Sequence, residues 1–208
     1  VENVKVTGNV VGGNDVAGII NKIDGSGKVS NVAFIGKINS VGNNSTVGGI
    51  AGSNYMGFVN RAYVDATITA QNANASMLVP FVTYMLNSWK SGTKAKVTNS
   101  VAKGVLDVKN TRNVGGIVAK TWPYGAVQDN VTYAKVIKGQ EIFASNDVND
   151  EDGGPYIKDL FGVVGYSSAE DGTGKDTKSP NKLKHLTKEE ADKRVEGYKI
   201  TADTFVSE

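Results

Sequence analysis

The stretch Val47-Gly48-Gly49-Ile50-Ala51-Gly52 decides the fold, because versions of it recur along the chain. It is too short for a helix and is bounded by Gly, Asn and Thr residues, so it indicates a short buried strand. Glycine inside such a strand indicates a close backbone contact or tight corner that leaves no room for a larger side chain. The related blocks are Val16-Ala17-Gly18-Ile19, Val114-Gly115-Gly116-Ile117-Val118 and Leu160-Phe161-Gly162-Val163-Val164-Gly165, while Leu78-Val79-Pro80-Phe81 has Pro where Gly is expected.

A second motif precedes each of these blocks and defines a repeating unit. The units begin at Val1, Val29, Val59, Val97 and Val127, and the second of them reads Val29-Ser30-Asn31-Val32-Ala33-Phe34-Ile35-Gly36. One such unit cannot bury its own apolar face, whereas stacked units cover one another. The eighth position of every unit holds a small residue, which we interpret as a steric requirement: Gly8, Gly36, Ala66, Gly104 and Ala134.

These repeats predict an all-β fold over residues 1–165, a parallel β-helix or β-solenoid of about five coils. The crossover rule predicts that the coils are right-handed. Composition agrees, because 28 Val and 12 Ile against 6 Leu favour strands over helices. A β-sandwich of short strands remains an alternative architecture.

The C-terminal part differs from the repeats. Residues 166–182 are rich in Ser, Gly, Asp and Lys and predict a linker. Residues 183–208 predict a short helix and an extended tail leading to a next domain. Thr187 and Glu190 have capping-box spacing, and Gly197 suits the position after a helix, so we expect a helix from about Lys188 to Glu196.

Composition excludes several classes of protein. The 23 basic and 21 acidic residues do not suit a strongly basic nucleic-acid reader, so we expect no nucleic-acid partner. The chain has no Cys and a single His, His185, which excludes zinc held by Cys and a Cys–His nucleophile pair. The longest apolar run, residues 77–86, is too short for a membrane helix, so we expect no membrane insertion. Without a signal peptide or an initial Met, the chain is expected to be a piece of a larger protein.

The block Val47–Gly52, with its flank Gly27-Lys28-Val29-Ser30-Asn31, resembles the GLUG repeat of bacterial surface proteins. The order of the motifs is similar to the region that precedes the catalytic domain in the streptococcal immunoglobulin A1 protease family of zinc metallopeptidases. The resemblance implies a secreted parent attached to the cell wall of a Gram-positive bacterium. It also implies a substrate that is host immunoglobulin A1 or another host glycoprotein.

That family carries an H-E-x-x-H helix, in which two His bind zinc and the Glu activates water. This sequence has no such motif, so no catalytic residue can be assigned and no cofactor is expected in this chain. The zinc would belong to a catalytic domain elsewhere in the polypeptide. His185, just before the predicted helix, is expected to be a surface or packing residue.

Two groups of residues are candidates for binding. In the acidic run from Asp147 to Asp152, a weak calcium site would use Asp147, Asn149 and Glu151, but the run matches a calcium loop poorly and a solvated loop is the favoured interpretation. The aromatic residues near the irregular third unit and after the fourth Gly block are candidates for contact with a partner, or else fill the core. These residues are Tyr84, Trp89, Trp122 and Tyr124.

The sequence therefore predicts a non-catalytic repeat module of a cell-surface zinc metalloprotease. Such a module would position or help to bind the host immunoglobulin, or pack against the catalytic domain. One alternative is an adhesin or surface-stalk repeat that binds a host ligand. Another is a glycan-active β-helix enzyme, which the scarcity of Arg disfavours.

Overall fold

Strands that are one repeat apart in the sequence lie side by side and run parallel. The computed structural model describes residues 1–83, 95–121, 126–137, 143–146, 156–157, 161–162 and 187–204. Its strands and helix are β1 Glu2–Gly12, β2 Val16–Ala17, β3 Ile20–Asp24, β4 Lys28–Gly48, β5 Ala51–Tyr55, β6 Phe58–Ser76, β7 Phe81–Thr83, β8 Lys96–Thr98, β9 Val101–Gly115, β10 Val118–Thr121, β11 Ala126–Gln128, β12 Val131–Thr132, β13 Lys135–Val136, β14 Phe143–Asn146, β15 Tyr156–Ile157, β16 Phe161–Gly162 and α1 Lys188–Tyr198.

The first residues of the repeats are in register. Val29 pairs with Val59, Val59 with Val97, and Val97 with Val127. Val127 in turn pairs with Ile157. The predicted parallel β-solenoid is thereby confirmed, and the sandwich alternative is wrong, because each of these strands pairs with its counterpart in the next coil.

The chain winds between two parallel sheets. The larger sheet contains the long strands β1, β4, β6 and β9, and the smaller one has the order β14-β10-β7-β5-β3. The Gly blocks lie at the passage from the larger sheet to the smaller, since β4 ends at Gly48 and β5 begins at Ala51.

The core is a set of columns that run along the solenoid. In one column Ile38 pairs with Ile68, Ile68 with Leu106 and Leu106 with Val136, and all four side chains are fully buried. Burying each of these side chains contributes roughly 1.5–3 kcal/mol relative to leaving it exposed. Neighbouring coils cover one another along these columns, as expected for repeats that depend on adjacent repeats for their stability.

At two of the eighth positions of the repeat, the backbone of one coil leaves no room for a side chain in the next. Gly36 has a φ of 150° and Gly104 a φ of 103°, a region that residues with a Cβ rarely adopt. A Cβ at Gly36 would lie 1.9 Å from the carbonyl oxygen of Gly8, and one at Gly104 would lie 2.0 Å from that of Ala66.

In the Gly block, a Cβ at Gly18 would lie 2.3 Å from the carbonyl oxygen of Gly49. A Cβ at Gly49 would lie 2.1 Å from that of Met77. Gly116 follows the end of β9, and Gly162 lies in β16.

The third coil corrects the alignment made from sequence. Val47 pairs with Ala75 and Gly48 with Ser76, so the block begins three residues before Leu78. Pro80 is level with Gly52, because Asn54 pairs with Val82 two residues later. Ser76 and Met77 therefore replace the two adjacent glycines, and both are fully buried. Sequence comparison aligned the branched residues and overlooked Ala75, a small apolar residue.

The helix begins where the capping box predicts but ends later. Thr187 is the N-cap, α1 continues through Gly197 to Tyr198, and Lys199 adopts the left-handed conformation that ends it. Gly197 is therefore not the terminating residue. The helix continues because Tyr198 is held against the solenoid by a hydrogen bond from its hydroxyl to the carbonyl oxygen of Asp129. No helix in the part of the chain that the structure describes has the length and apolarity needed to cross a bilayer.

We predict that Gly36→Ala lowers the free energy of unfolding by about 2 kcal/mol or more, because the methyl group meets the Gly8 carbonyl and the backbone must leave a positive φ. Urea denaturation followed by circular dichroism measures the change. Gly13→Ala is the matched control, since a Cβ there has nothing within 4 Å. Equal stability of the two variants would contradict the steric interpretation.

Candidate functional site

The sequence-predicted binding residues lie outside the described residues. This holds for Tyr84, Trp89, Trp122 and Tyr124, for Asp147, Asn149 and Glu151, and for His185. Within the described ranges, no group of three His, Cys, Asp or Glu residues is arranged to hold a metal ion. The site that the structure does describe is a docking interface between α1 and the solenoid.

The interface is built beside a corner that every coil repeats. The third residue of each unit has a left-handed backbone with φ between 51° and 57°, a conformation that Asn and Asp tolerate best. Asn31 Nδ2 donates to Asn3 Oδ1 at 2.6 Å, and Arg61 Nε donates to Asn31 Oδ1 at 3.1 Å. Side chains thereby link the corners of successive coils. The corner residues are Asn3, Asn31, Arg61, Asn99 and Asp129.

Sequence analysis missed these corners, although the signal was present. The motif contains Asn or Asp at the third position in four of the five units, with Arg61 as the exception. An Asn or Asp that recurs at a fixed place within a run of apolar residues is a turn signal. The Val and Gly positions indicate the stacking of the coils, whereas only this third position indicates the corner.

An apolar column follows the corner on the outer side of the larger sheet. Ala33 pairs with Tyr63, Tyr63 with Val101, and Val101 with Val131. Outward residues of a solenoid normally face water, yet these four are buried. The segment from α1 to the turn after it covers them.

The C-terminal segment supplies apolar side chains to this column. Ala191 is fully buried and clusters with Val131. Ile200 is 1% exposed and clusters with Ala33, Tyr63 and Val101. The contacts thus extend over four successive coils.

Polar contacts fix the orientation of the helix. Arg194 Nη1 donates to Asp129 Oδ1 at 2.7 Å, and the Tyr198 hydroxyl donates to the carbonyl oxygen of the same residue. The hydroxyl of Tyr133 donates to Asp192 Oδ1 at 2.7 Å. Asp129 is thus both the corner of the fifth unit and the anchor of the helix.

Lys103 lies between the rings of Tyr63 and Tyr133 at the docking interface. Lys103 Nζ is 5.6 Å from the ring centroid of Tyr63 and 5.5 Å from that of Tyr133, within the range of cation–π attraction. The rings belong to the coils before and after Lys103, so this cation joins three coils.

Burial changes the ionisation of the tyrosines at the interface. Desolvation raises the pKa of Tyr63 and of Tyr198 to about 12, and it also raises the pKa of Tyr133 well above its usual value. The hydrogen bond from Lys188, followed by that from Tyr133, lowers the pKa of Asp192. At neutral pH the tyrosines are therefore protonated donors, and Asp192 is a charged acceptor.

The outer side of α1 remains charged and exposed to solvent. Lys188, Glu189, Lys193 and Glu196 line a shallow depression there together with Asp192. The arrangement presents no nucleophile paired with a base among the described residues. What it does is hold a C-terminal segment at a fixed place on the side of the solenoid.

Comparison with known proteins gives two similar segments in larger proteins. The chain is 50% identical over 176 residues to zinc metalloprotease ZmpB of Streptococcus pneumoniae serotype 4, a match that covers 83% of the chain and 9% of ZmpB. It is 29% identical over 160 residues to zinc metalloprotease ZmpC of the same organism, over 72% of the chain and 8% of ZmpC. The chain therefore spans less than a tenth of either relative. No model of a protein family matches the sequence, and no solved structure matches it.

We predict that alkaline pH releases α1 from the solenoid. Below pH 10 the tyrosine hydroxyls are protonated in both the folded and the unfolded chain, so their contribution to stability is complete. It is lost as the pH rises towards 12, because the unfolded chain, with a tyrosine pKa of 10.0, loses its protons first. Hydrogen exchange of α1 amides and tyrosinate absorbance, recorded along a pH series, measure the transition. In the Tyr198→Phe variant, one tyrosine ionisation should be missing from the absorbance change. Release of α1 near neutral pH would contradict the prediction.

Proposed function

Because the chain is homologous to segments of the streptococcal zinc metalloproteases ZmpB and ZmpC, we propose that it is a non-catalytic repeat module of such a protease. In this role the solenoid holds the substrate or packs against the catalytic domain, and the chemistry takes place elsewhere in the polypeptide. The homology itself supports a zinc metalloprotease-family parent.

The observation that carries the proposal is the docking of α1. A chain that continues beyond Thr204 starts from a point that Asp129, Tyr133 and four coils hold in place. A flexible connection would let the two parts tumble independently, whereas a docked helix fixes their relative position at the exit from the solenoid. Fixing a distance and an orientation is what a positioning module requires.

The amino-acid content supports the same proposal. An H-E-x-x-H zinc helix needs two His residues, and the sequence contains only His185. Zinc in the parent would therefore be held by another part of the polypeptide.

The finer form of the proposal names the repeat and the substrate. We propose that the coils are GLUG-type repeats of a protease of the immunoglobulin A1 protease family. That parent would be secreted and attached to the cell wall of a Gram-positive bacterium. The substrate would be host immunoglobulin A1 or another host glycoprotein, and the aromatic residues Tyr84, Trp89, Trp122 and Tyr124 are the proposed contacts with it.

Releasing the helix in the full-length parent tests the positioning role. Ala191→Gln puts a bulky polar side chain into a fully buried position. Lys193→Gln is the matched control, because it introduces the same side chain at an exposed position of the same helix. We predict that Ala191→Gln lowers kcat/KM for the intact host protein on the order of tenfold, while hydrolysis of a short peptide substrate stays unchanged. Lys193→Gln should leave both activities unchanged.

The outcomes of this experiment are distinct. Equal loss on the protein and the peptide would mean that the variant has damaged the catalytic domain, and loss on neither would contradict positioning. Circular dichroism and hydrogen exchange of β4 and β6 confirm that the solenoid remains folded in both variants. Peptide hydrolysis by the 208-residue chain alone, with zinc added, would refute the non-catalytic role.

Direct substrate contact is tested with the isolated chain. We predict that immobilised chain captures host immunoglobulin A1, and that Trp89→Ala or Trp122→Ala weakens capture at least tenfold, because aromatic anchors carry a large share of interface energy. Phe58→Ala is the control aromatic substitution. Equal capture by all variants would contradict the proposed contacts. Capture of a host ligand by a parent without protease activity would favour the adhesin alternative.

A further inference from the structure

We propose that the N-terminal end of the solenoid binds one further coil of the same repeat type, supplied by the same polypeptide, along β1 and β3. Such a coil would place apolar side chains over the first coil and would pair in parallel with both strands. This inference rests on the stacking of the coils and is independent of the proposed function.

The first observation is the burial of equivalent residues in the first two coils. Val4 pairs with Val32, Val6 with Phe34 and Val10 with Ile38. The three residues of the second coil are fully buried, whereas Val4, Val6 and Val10 are only partly buried. Ile19 and Ile20 of the first Gly block are also only partly buried. The first coil thus carries the side chains of an interior coil at an end that the described structure leaves uncovered.

The second observation is the edge itself. β1 is 11 residues long and pairs with β4 along one side, and β3 is the last strand in the order of the smaller sheet. Terminal repeats of solenoids usually present a polar outer face, and exposed edges usually carry Pro, bulges or charges that prevent pairing. β1 contains no Pro, and its charged residues are Glu2 and Lys5. It is therefore an edge suited to pairing.

The third observation is the backbone of Gly8. Its φ of 141° is close to the 150° of Gly36, whose left-handed conformation receives the carbonyl oxygen of the preceding coil. A Cβ at Gly8 would have nothing within 4 Å. The first coil already has the shape that accommodates a preceding carbonyl.

These observations identify the occupant by its chemistry. The edges of β1 and β3 continue the established coil-to-coil register, which a parallel coil satisfies and a second copy of this end does not, since two such ends meet antiparallel about a twofold axis. The matched segment is only 9% of ZmpB, so proteins of this kind have ample chain to supply the coil. The occupant would place a small residue level with Gly8 and apolar residues over Val4, Val6 and Val10.

The absence of Cys from the chain allows a clean labelling test. A duplicate of residues 29–58 is fused ahead of Val1, which keeps the natural Phe58–Val junction. Val10→Cys is introduced with and without this extension, and maleimide labelling rates are compared. We expect the extension to slow labelling at position 10 at least tenfold, because the thiol becomes buried.

Val11→Cys is the matched control, since Val11 is 69% exposed and is the next residue along the same strand. Its labelling rate should not change. An extension of the same composition in scrambled order should leave Val10→Cys as reactive as before.

A second measurement covers the case in which the duplicate itself folds poorly. Hydrogen exchange of β1 amides is recorded in the full-length parent, where we expect protection comparable to that of β4. Fast exchange of β1 in the parent would overturn the proposal, as would unchanged labelling with the duplicated coil. Concentration-dependent dimers of the 208-residue chain that protect Val10→Cys would assign the end to a second copy instead.

Discussion

Adjacent coils in this molecule are held at the spacing of a parallel β-ladder, about 4.8 Å, and every other feature has to fit that distance. At Gly36 the fit requires glycine, because the carbonyl oxygen of Gly8 lies where a Cβ would stand, whereas Ala66 occupies the equivalent position of the next coil without a positive φ. The same spacing stacks Ile38, Ile68 and Leu106 into one buried column. Side chains contribute most of the burial, but the backbone approach determines which side chains can be present.

The corner at the third position of the repeat connects the regular stack of coils to the C-terminal helix. The left-handed residue turns the chain within β1, β4 and β6, and it lies between two strands in the fourth and fifth units. In the fifth unit this residue is Asp129, whose carboxylate and carbonyl oxygen both accept hydrogen bonds from the C-terminal helix. Asp129 therefore lies in the turn between β11 and β12 and also anchors α1. On the side of the solenoid, the docking interface needs no change in the backbone of the repeat. It needs only apolar or aromatic side chains at outward positions, where Tyr63, Val101 and Val131 are buried.

The sequence was sufficient to predict that the coils stack, because the repeat length, the Val positions and the small eighth residue are all visible in one repeat at a time. It also placed the N-cap of the helix, since the capping box involves only Thr187 and Glu190. It did not predict the end of the helix, which depends on a hydrogen bond between Tyr198 and a residue far away in sequence. Likewise, the sequence did not predict that the outward column is buried, because its burial depends on the helix that covers it. The third coil was misaligned because Ala75 carries little hydrophobic signal, although its backbone pairs like that of Val47.

The docked helix also changes how the solenoid would respond to mechanical tension. A stack held only by ladders and columns can peel apart one coil at a time, starting from a free end, because each coil contacts only its neighbours. The C-terminal segment contacts Ala33, Tyr63, Val101 and Val131, which belong to four different coils. Unfolding from that side must first break all of these contacts at once. A force applied through the C-terminal segment would therefore cause one concerted rupture, and the coils would not detach one at a time.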